Sequence, residues 1–382
     1  MTVAPPAADN SLPARQSLAH GPLSTALLHI ERALRGTGDW AEAHRVLAST
    51  GPLIEGRDAG LFLGAPALAF ALHLAADGTD RYAGALHTLD QVVAEHVRAR
   101  LAAAHDRIDA GRRPTFSEYD LLRGLTGIGA LLLRRNPHGP ELRGILDYLV
   151  RLTEPLTDRT GRTLPGWWVD HAPATDQSTT PGGHANAGVA HGIAGPLALL
   201  CLAMRAGVHT RRQELAIRRV CRWLDDIRQC DSYGLRWPRW ISHSGSTPVR
   251  PAAPSWCYGT PGLVRAQQLA AIVLEDTDRK RMAERALTHC LADARQLGLL
   301  TDRGICHGVG GVLRTVQRVA SDADSPAGYA RRFEPLVRRY LPAAVPEEAG
   351  FLVGRAGAAL AYQDADDATT PKGQWDACLL LT

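Results

Sequence analysis

Seven times along its 382 residues the chain repeats one frame: a turn, a glycine, a small residue three positions later, then an apolar run of helical period. The frame opens HGPLSTALLHIERAL at His20, LGAPALAFALHLAA at Leu63 and RGLTGIGALLLRR at Arg123. It returns in HGIAGPLALLCLAM at His191, YGTPGLVRAQQLAAIVL at Tyr258, HGVGGVLRTVQRVA at His307 and VGRAGAALAYQDA at Val353. The leading glycines are Gly21, Gly64, Gly124, Gly192, Gly259, Gly308 and Gly354, spaced by 43, 60, 68, 67, 49 and 46 residues. Such intervals hold two helices and their connections, so each repeat reads as a helical pair. One helix of each pair is apolar nearly all round, as in GIGALLL, and the other is amphipathic. In RRQELAIRRVCRWLDDIRQC (211–230), Ile217, Val220, Cys221, Leu224 and Ile227 fall on one face.

Strand-like alternation is nearly absent, and no repeat looks like the polar cap an open solenoid needs. The expected fold is therefore all-α: an α/α toroid of seven helical pairs, an inner ring of buried helices wrapped by an outer one. It would form a single domain over 17–382 behind a disordered leader, 1–16. An irregular helical bundle with glycines at tight crossings is the alternative. A glycine at each helix start lets the backbone take φ > 0 or approach a neighbour closely. It is also expected to expose the first N–H groups of the helix. Such turns on one rim would make a mouth.

Lys+Arg of 43 against Asp+Glu of 39 leaves only +4, with no basic cluster interleaved with aromatics, so a nucleic-acid partner has little support. The most apolar stretch, 61–76, is sixteen residues long and contains Gly, Pro and His, which fits a buried helix and not a membrane span. The N-terminus lacks the pattern of a signal peptide. Seven cysteines without secreted-domain spacing point to reduced thiols in a cytoplasm.

Polar chemistry is unevenly distributed over the seven turns. Directly before the glycine stand His20, Leu63, Arg123, His191, Tyr258, His307 and Val353; one position earlier stand Ala19, Phe62, Leu122, Ala190, Cys257, Cys306 and Leu352. Cys257 and Cys306 thus share a register in consecutive repeats, and equivalent positions of neighbouring repeats lie side by side on a ring. Adjacent residues in a regular helix point about 100° apart. In an irregular turn, Cys306 and His307 can be aimed at one point, where Cys257 completes a Cys₂His set. Repeat four adds His191, and repeat three adds Asp120, four residues before its glycine. Asp120 also fits a plain N-terminal helix carboxylate, and Trp256 fits core packing as well as substrate contact. His20 and the other five cysteines read as structural.

These residues resemble the lanthipeptide cyclase family, the LanC-like proteins. The matching pieces are GVAHGIAG (188–195), WCYGTPG (256–262), CHGVGG (306–311), the Asp-bearing YDLLRGLTGIG (119–129) and the tail WDACLLL. The resemblance implies one zinc, Zn²⁺, per chain on Cys257, Cys306 and His307. It also implies a lanthionine synthetase joining peptide cysteines to dehydroalanine or dehydrobutyrine as (methyl)lanthionine thioethers. His191 and Asp120 carry over as acid/base residues, and Trp256, Tyr258, Gly259 and Gly308 as motif residues around the site. The implied partner is a dehydrated precursor of leader plus core peptide, made by a separate dehydratase, with export machinery and a membrane-associated complex as further associates.

The chemistry suits that ligand set. Three protein ligands leave a fourth position open, as in catalytic zinc sites, and a substrate thiol is deprotonated on binding the metal. After sulfur attacks the β-carbon, an enolate must be protonated, a task for His191 with Asp120 setting its tautomer. The sequence also departs from the family. Where many members carry an arginine shortly before the Trp, this chain has Ala253, Pro254 and Ser255; the nearest upstream arginine is Arg250, and no enolate-stabilising arginine is assigned. Segment 78–118 reads as helix in place of a β-rich insertion. Two long loops, 163–188 and 231–255, fit a flexible lip over a peptide, with His171 and His184 as spare ligands. Competing readings are addition of glutathione to dehydroamino acids, a zinc-stapled peptide-binding scaffold, and a glycosidase, which would need two carboxylates where the registers supply only Asp120.

Overall fold

The computed structural model describes residues 11–53, 59–158, 160–171, 182–243, 252–325, 348–367 and 372–382. After a helical turn, α1 (Leu12–Arg15), come α2 (Pro22–Leu34), α3 (Trp40–Ala48), α4 (Ala65–Ala76), α5 (Ala83–Asp109), α6 (Phe116–Tyr119), α7 (Leu125–Arg135) and α8 (Pro140–Leu152). The second half holds α9 (Ala194–Arg205), α10 (Gln213–Ile227), α11 (Thr260–Val273), α12 (Thr277–Ala292), α13 (Ala294–Leu297), α14 (Val309–Ser321) and α15 (Arg355–Asp367). Each of the seven glycine frames starts one inner helix: α2, α4, α7, α9, α11, α14 and α15. Each packs on the next, and α15 packs back on α2, so the ring closes. Outer helices α3, α5, α8, α10 and α12 lie against the inner helices that precede them. The α/α toroid expected from the repeat is the fold observed.

The outer helices bury one face only. In α10, Ile217, Val220, Cys221 and Leu224 are buried while Ile227 is half-buried. Inner helices are enclosed on nearly all sides, ten of the twelve residues of α4 being buried, which is why their sequences carry no polar stripe. Helix α5, 27 residues long, fills most of the segment read as helical. Just ahead of the expected domain start at 17, α1 is followed by Gln16, which is buried and whose Nε2 donates to the Thr50 and Pro52 carbonyls.

The glycines are required for two different reasons. Gly21 and Gly64 start their helices at φ +76° and +74°, a conformation L side chains rarely adopt. Gly259 has an extended φ of −91° and is required by space alone: a Cβ there would sit 2.1 Å from Ser255 N, and on Gly262, 1.9 Å from Trp256 O. The turn folds back so tightly that Gly262 N donates to Ser255 O at 3.4 Å, and the equivalent Gly311 N to Gly304 O at 3.2 Å. The expected row of exposed helix N–H groups is corrected accordingly, since the turns consume several of them internally.

Backbone hydrogen bonds join all seven turns into a hoop. Leu18 N donates to Phe62 O, Phe62 N to Leu122 O, Leu121 N to Ala190 O and Ala190 N to Cys257 O. Cys257 N then donates to Cys306 O at 3.2 Å, Cys306 N to Leu352 O at 2.7 Å, and Leu352 N to Ala19 O at 3.2 Å. The residues linked are those aligned by register in the sequence, or their immediate neighbours.

Strands are few and short, as expected. Among the described residues three short antiparallel ribbons occur, β1–β2 (Leu156–Thr157 with Thr163–Leu164), β3–β6 (His184–Asn186 with Trp240–Ser242) and β4–β5 (Gln229–Asp231 with Gly234–Arg236). The β3–β6 ribbon ties together the two loops expected to act as independent lips; residues 172–181 and 244–251 of those loops lie outside the described residues. After α15 the described chain forms no seventh outer helix. A 3₁₀ turn, Trp375–Leu379, runs buried within the ring instead. Its Asp376 is fully buried between Arg314 (2.7 Å) and Arg318 (2.6 Å) of α14. Burial pushes that carboxyl up, but the two guanidiniums outweigh it and hold it below its ordinary range. Arg265 of α11 donates to Leu381 O from Nε and Nη2, and Glu31 of α2 accepts from Lys372 N and Gly373 N.

Candidate active site

The hoop delivers Cys257 and Cys306 to adjacent links, and His307 follows in the same turn. The donor atoms of Cys257, Cys306 and His307 all lie within 4.8 Å of one another. Cys257 is buried, Cys306 half-buried and His307 exposed, so the cluster sits at the rim, open on one side. Hydrogen bonds from Cys306 and His307 hold the Cys257 thiol well below its ordinary range despite burial. The same Cys257 contact, with burial, pushes Cys306 up, and Cys257 also raises His307. Ser255 Oγ lies 3.6 Å from Cys257 Sγ and accepts from Tyr258 N. Ser255 stands four residues before its glycine, the register of Asp120 and of Ser17, whose Oγ likewise accepts from its own turn at Ala19 N and His20 N.

Asp120 uses that register twice. Its Oδ1 accepts from Arg123 N (2.7 Å) and Gly124 N (2.8 Å), bracing the turn, while Oδ2 lies 2.6 Å from His191 Nδ1. Asp120 is 1% exposed, whereas the His191 side chain is 30% exposed. With Nδ1–H committed to the carboxylate, Nε2 is the imidazole nitrogen left to exchange a proton. Phe116 stacks on His191 with centroids 5.9 Å apart, and the Tyr258 ring lies 6.2 Å away on a tilted plane. Tyr258 thereby joins the acid–base pair to the cysteine cluster, and burial pushes its phenol above the ordinary range.

Trp256 is placed in the core: it is fully buried and its indole N–H donates to Leu379 O at 3.0 Å. Gly259 and Gly308 are the turn glycines just before α11 and α14. His184 and His171 stay outside the cysteine cluster. His184 is fully buried in β3, where burial lowers its pKa to about 4 and keeps it neutral, and His171 Nε2 accepts from Phe116 N. Arg250 lies outside the described residues. Four residues of this region escaped the sequence reading: Phe116, Asn186, Arg239 and Ser255. Asn186 is fully buried, and its Oδ1 accepts from Gly188 N at 2.8 Å. Only Ser255 left a signal, through its shared register with Asp120.

A closed ring of helix-capped turns bearing a Cys₂His cluster beside a His–Asp pair defines a helical-toroid protein with a metal-competent rim. The chain belongs to the lanthionine synthetase C-like family, whose model matches residues 13–380. Among solved structures it is similar to nisin cyclase, with a TM-score of 0.78 and 20% identity over 96% of this chain and 92% of that one. A search of curated protein sequences returns no match. Among the described residues, no helix is long and apolar enough to cross a membrane.

Proposed function

We propose that the protein is a zinc-dependent lanthipeptide cyclase that adds peptide cysteine thiols to dehydroalanine or dehydrobutyrine, giving thioether rings. The observation that carries this reading is the placement of Cys257, Cys306 and His307 within 4.8 Å of one another, on the arc that also holds the His191–Asp120 pair. Donors around a tetrahedral zinc lie roughly 3.5–3.8 Å apart, so small rotations of these side chains suffice for them to hold the ion. Among the described residues no fourth Cys, His, Asp or Glu joins the cluster, which favours an open coordination position over a closed structural site. Bound there, zinc would supply Lewis acidity that keeps the substrate sulfur as a nucleophilic thiolate at neutral pH.

The remaining chemistry falls to the chain. His191 Nε2 takes the proton of the incoming thiol, and Asp120 steadies the imidazolium through Nδ1–H. Sulfur bonds to the β-carbon and the alkene π pair moves onto the acceptor carbonyl as an enolate. His191 then returns the proton to the α-carbon, so the product is an isomer of the substrate. Holding both peptide groups on one rim makes the addition effectively unimolecular. The substrate would be a precursor already dehydrated by a separate enzyme, and a reducing cytoplasm fits the thiol ligands.

Zinc content and ring formation test this together. We expect one zinc per chain, absent from Cys306→Ala, and loss of alkylatable thiol at constant mass when wild type meets a dehydrated peptide. Metal-free wild type prepared without chelators, or a Cys306→Ala protein that still binds zinc and cyclises, would refute it.

A further inference from the structure

We propose that Arg239 is a further catalytic residue, whose guanidinium receives the negative charge that develops on the acceptor carbonyl oxygen during thiol addition. This rests on the cyclase reading above. Arg239 precedes β6, and its carbonyl accepts from Ala187 N, which pins it where the two rim loops are tied. The guanidinium carbon lies 4.9 Å from the centroid of the Tyr258 ring, the ring that bridges His191 and the cysteine cluster. Its charge reaches Cys306 and His307 as well as Tyr258.

Arg239 lacks a carboxylate partner among the described residues, as does Arg303, but Arg303 lies over Tyr362 whereas Arg239 lies over Tyr258 beside the acid–base pair. Arg265 and Arg314, both fully buried, and half-buried Arg318 each meet a carboxylate at 2.6–2.8 Å. Arg239 is half-buried, has no carboxylate within 4 Å among the described residues, and its Nε is buried without a hydrogen-bond partner. A cation held partly out of water over an aromatic face, with donors unspent, is poised for an anion that arrives during the reaction. The addition creates such an anion: as the C–S bond forms, the π pair of the alkene is displaced to the carbonyl oxygen, and it returns to carbon when His191 protonates Cα. No external oxidant or leaving group is needed.

Two readouts test the proposal on the zinc-loaded protein. The first is binding of two unreactive cysteine peptides ending in alanine, one a free carboxylate and one a carboxamide. Wild type should prefer the carboxylate by about fivefold or more, and Arg239→Gln should erase that preference. The second is cyclisation of a dehydrated peptide. Arg239→Gln should lower kcat by about 10²–10³-fold, as for removal of an oxyanion donor, with KM within about threefold and zinc still at one per chain. Arg239→Lys should recover part of kcat. A raised KM at unchanged kcat would make Arg239 a peptide-holding cation, and loss of zinc would make it a support for the ligands; either overturns the proposal. A persistent carboxylate preference in Arg239→Gln overturns it too. Wild type that cyclises nothing would break the cyclase reading itself, while the binding pair still decides whether Arg239 takes an oxyanion.

Discussion

The arc made by repeats three to six and the arc made by repeats seven, one and two share one backbone. Both contribute links to the same hydrogen-bonded hoop, and both use glycines that a Cβ would drive into the turn: 1.9 Å from Trp256 O at Gly262, 1.8 Å from Phe351 O at Gly357. They differ in what the turns display. The first arc presents Asp120, His191, Cys257, Cys306 and His307; the equivalent places in the second are occupied mainly by Ala19, Phe62, Leu63, Leu352 and Val353. The scaffold is therefore indifferent to chemistry. On the proposed reading, a few side chains at two or three register positions would decide where reactivity resides, and confining them to one arc lets neighbouring links bring Cys257, Cys306 and His307 together without special folding.

The contrast is broken most severely at the ligands. Cys257→Ala should abolish zinc binding and slow cyclisation by about 10³-fold or more, whereas Leu352→Ala, one link beyond Cys306, should retain zinc; metal analysis with a ring-formation assay decides. Next, His191→Ala should keep its zinc yet cyclise about 10²–10⁴-fold more slowly. A variant that cyclised normally would remove His191 from the chemistry.

The closeness of these residues in space could be read from the chain because the register is rigid. Seven glycines at comparable places say which residues are equivalent, and equivalence on a ring means adjacency, so Cys257 and Cys306 could be paired across 49 residues. Helices α4 and α10 were equally legible, since burial on all sides and burial on one face leave different periodicities. The rim loops were not. Pairing of β3 with β6 depends on two irregular segments meeting in space, and Arg239 in RWPRW has no periodic neighbour to mark it. The inward course of the tail escaped for a related reason: its tie to Trp256 joins residues 256 and 379 through an indole that either a core or a substrate would accept.

A smaller effect tests whether the scaffold is as uniform as the hoop implies. Gly262→Ala and Gly357→Ala should each destabilise the fold by roughly 3 kcal/mol, measured by denaturant unfolding. Only Gly262→Ala should also disturb zinc binding in the protein that remains folded. The smallest effect concerns acid. Asp322, just after α14, bridges Arg205 of α9 and Arg265 of α11; burial pushes its carboxyl up, but the guanidiniums prevail and hold it at about 2. A folded pKa below the unfolded value stabilises above about pH 4, and that stabilisation is lost as pH falls towards 2. With partial screening it is worth on the order of 1 kcal/mol. Asp322→Asn should accordingly flatten the fall of Tm between pH 4 and pH 2.

The hoop also has a consequence for how the molecule comes into being. Its closing link, Leu352 to Ala19, joins opposite ends of the sequence, so the ring cannot be completed by adding neighbours one at a time. Closure of such distant contacts is the slow, non-local kind of folding step. Cys306 donates to Leu352 and lies one link from that seam. A metal captured by Cys257, Cys306 and His307 would instead clamp the fifth turn to the sixth, favouring the state in which those two turns are docked and leaving the seam to its backbone hydrogen bonds.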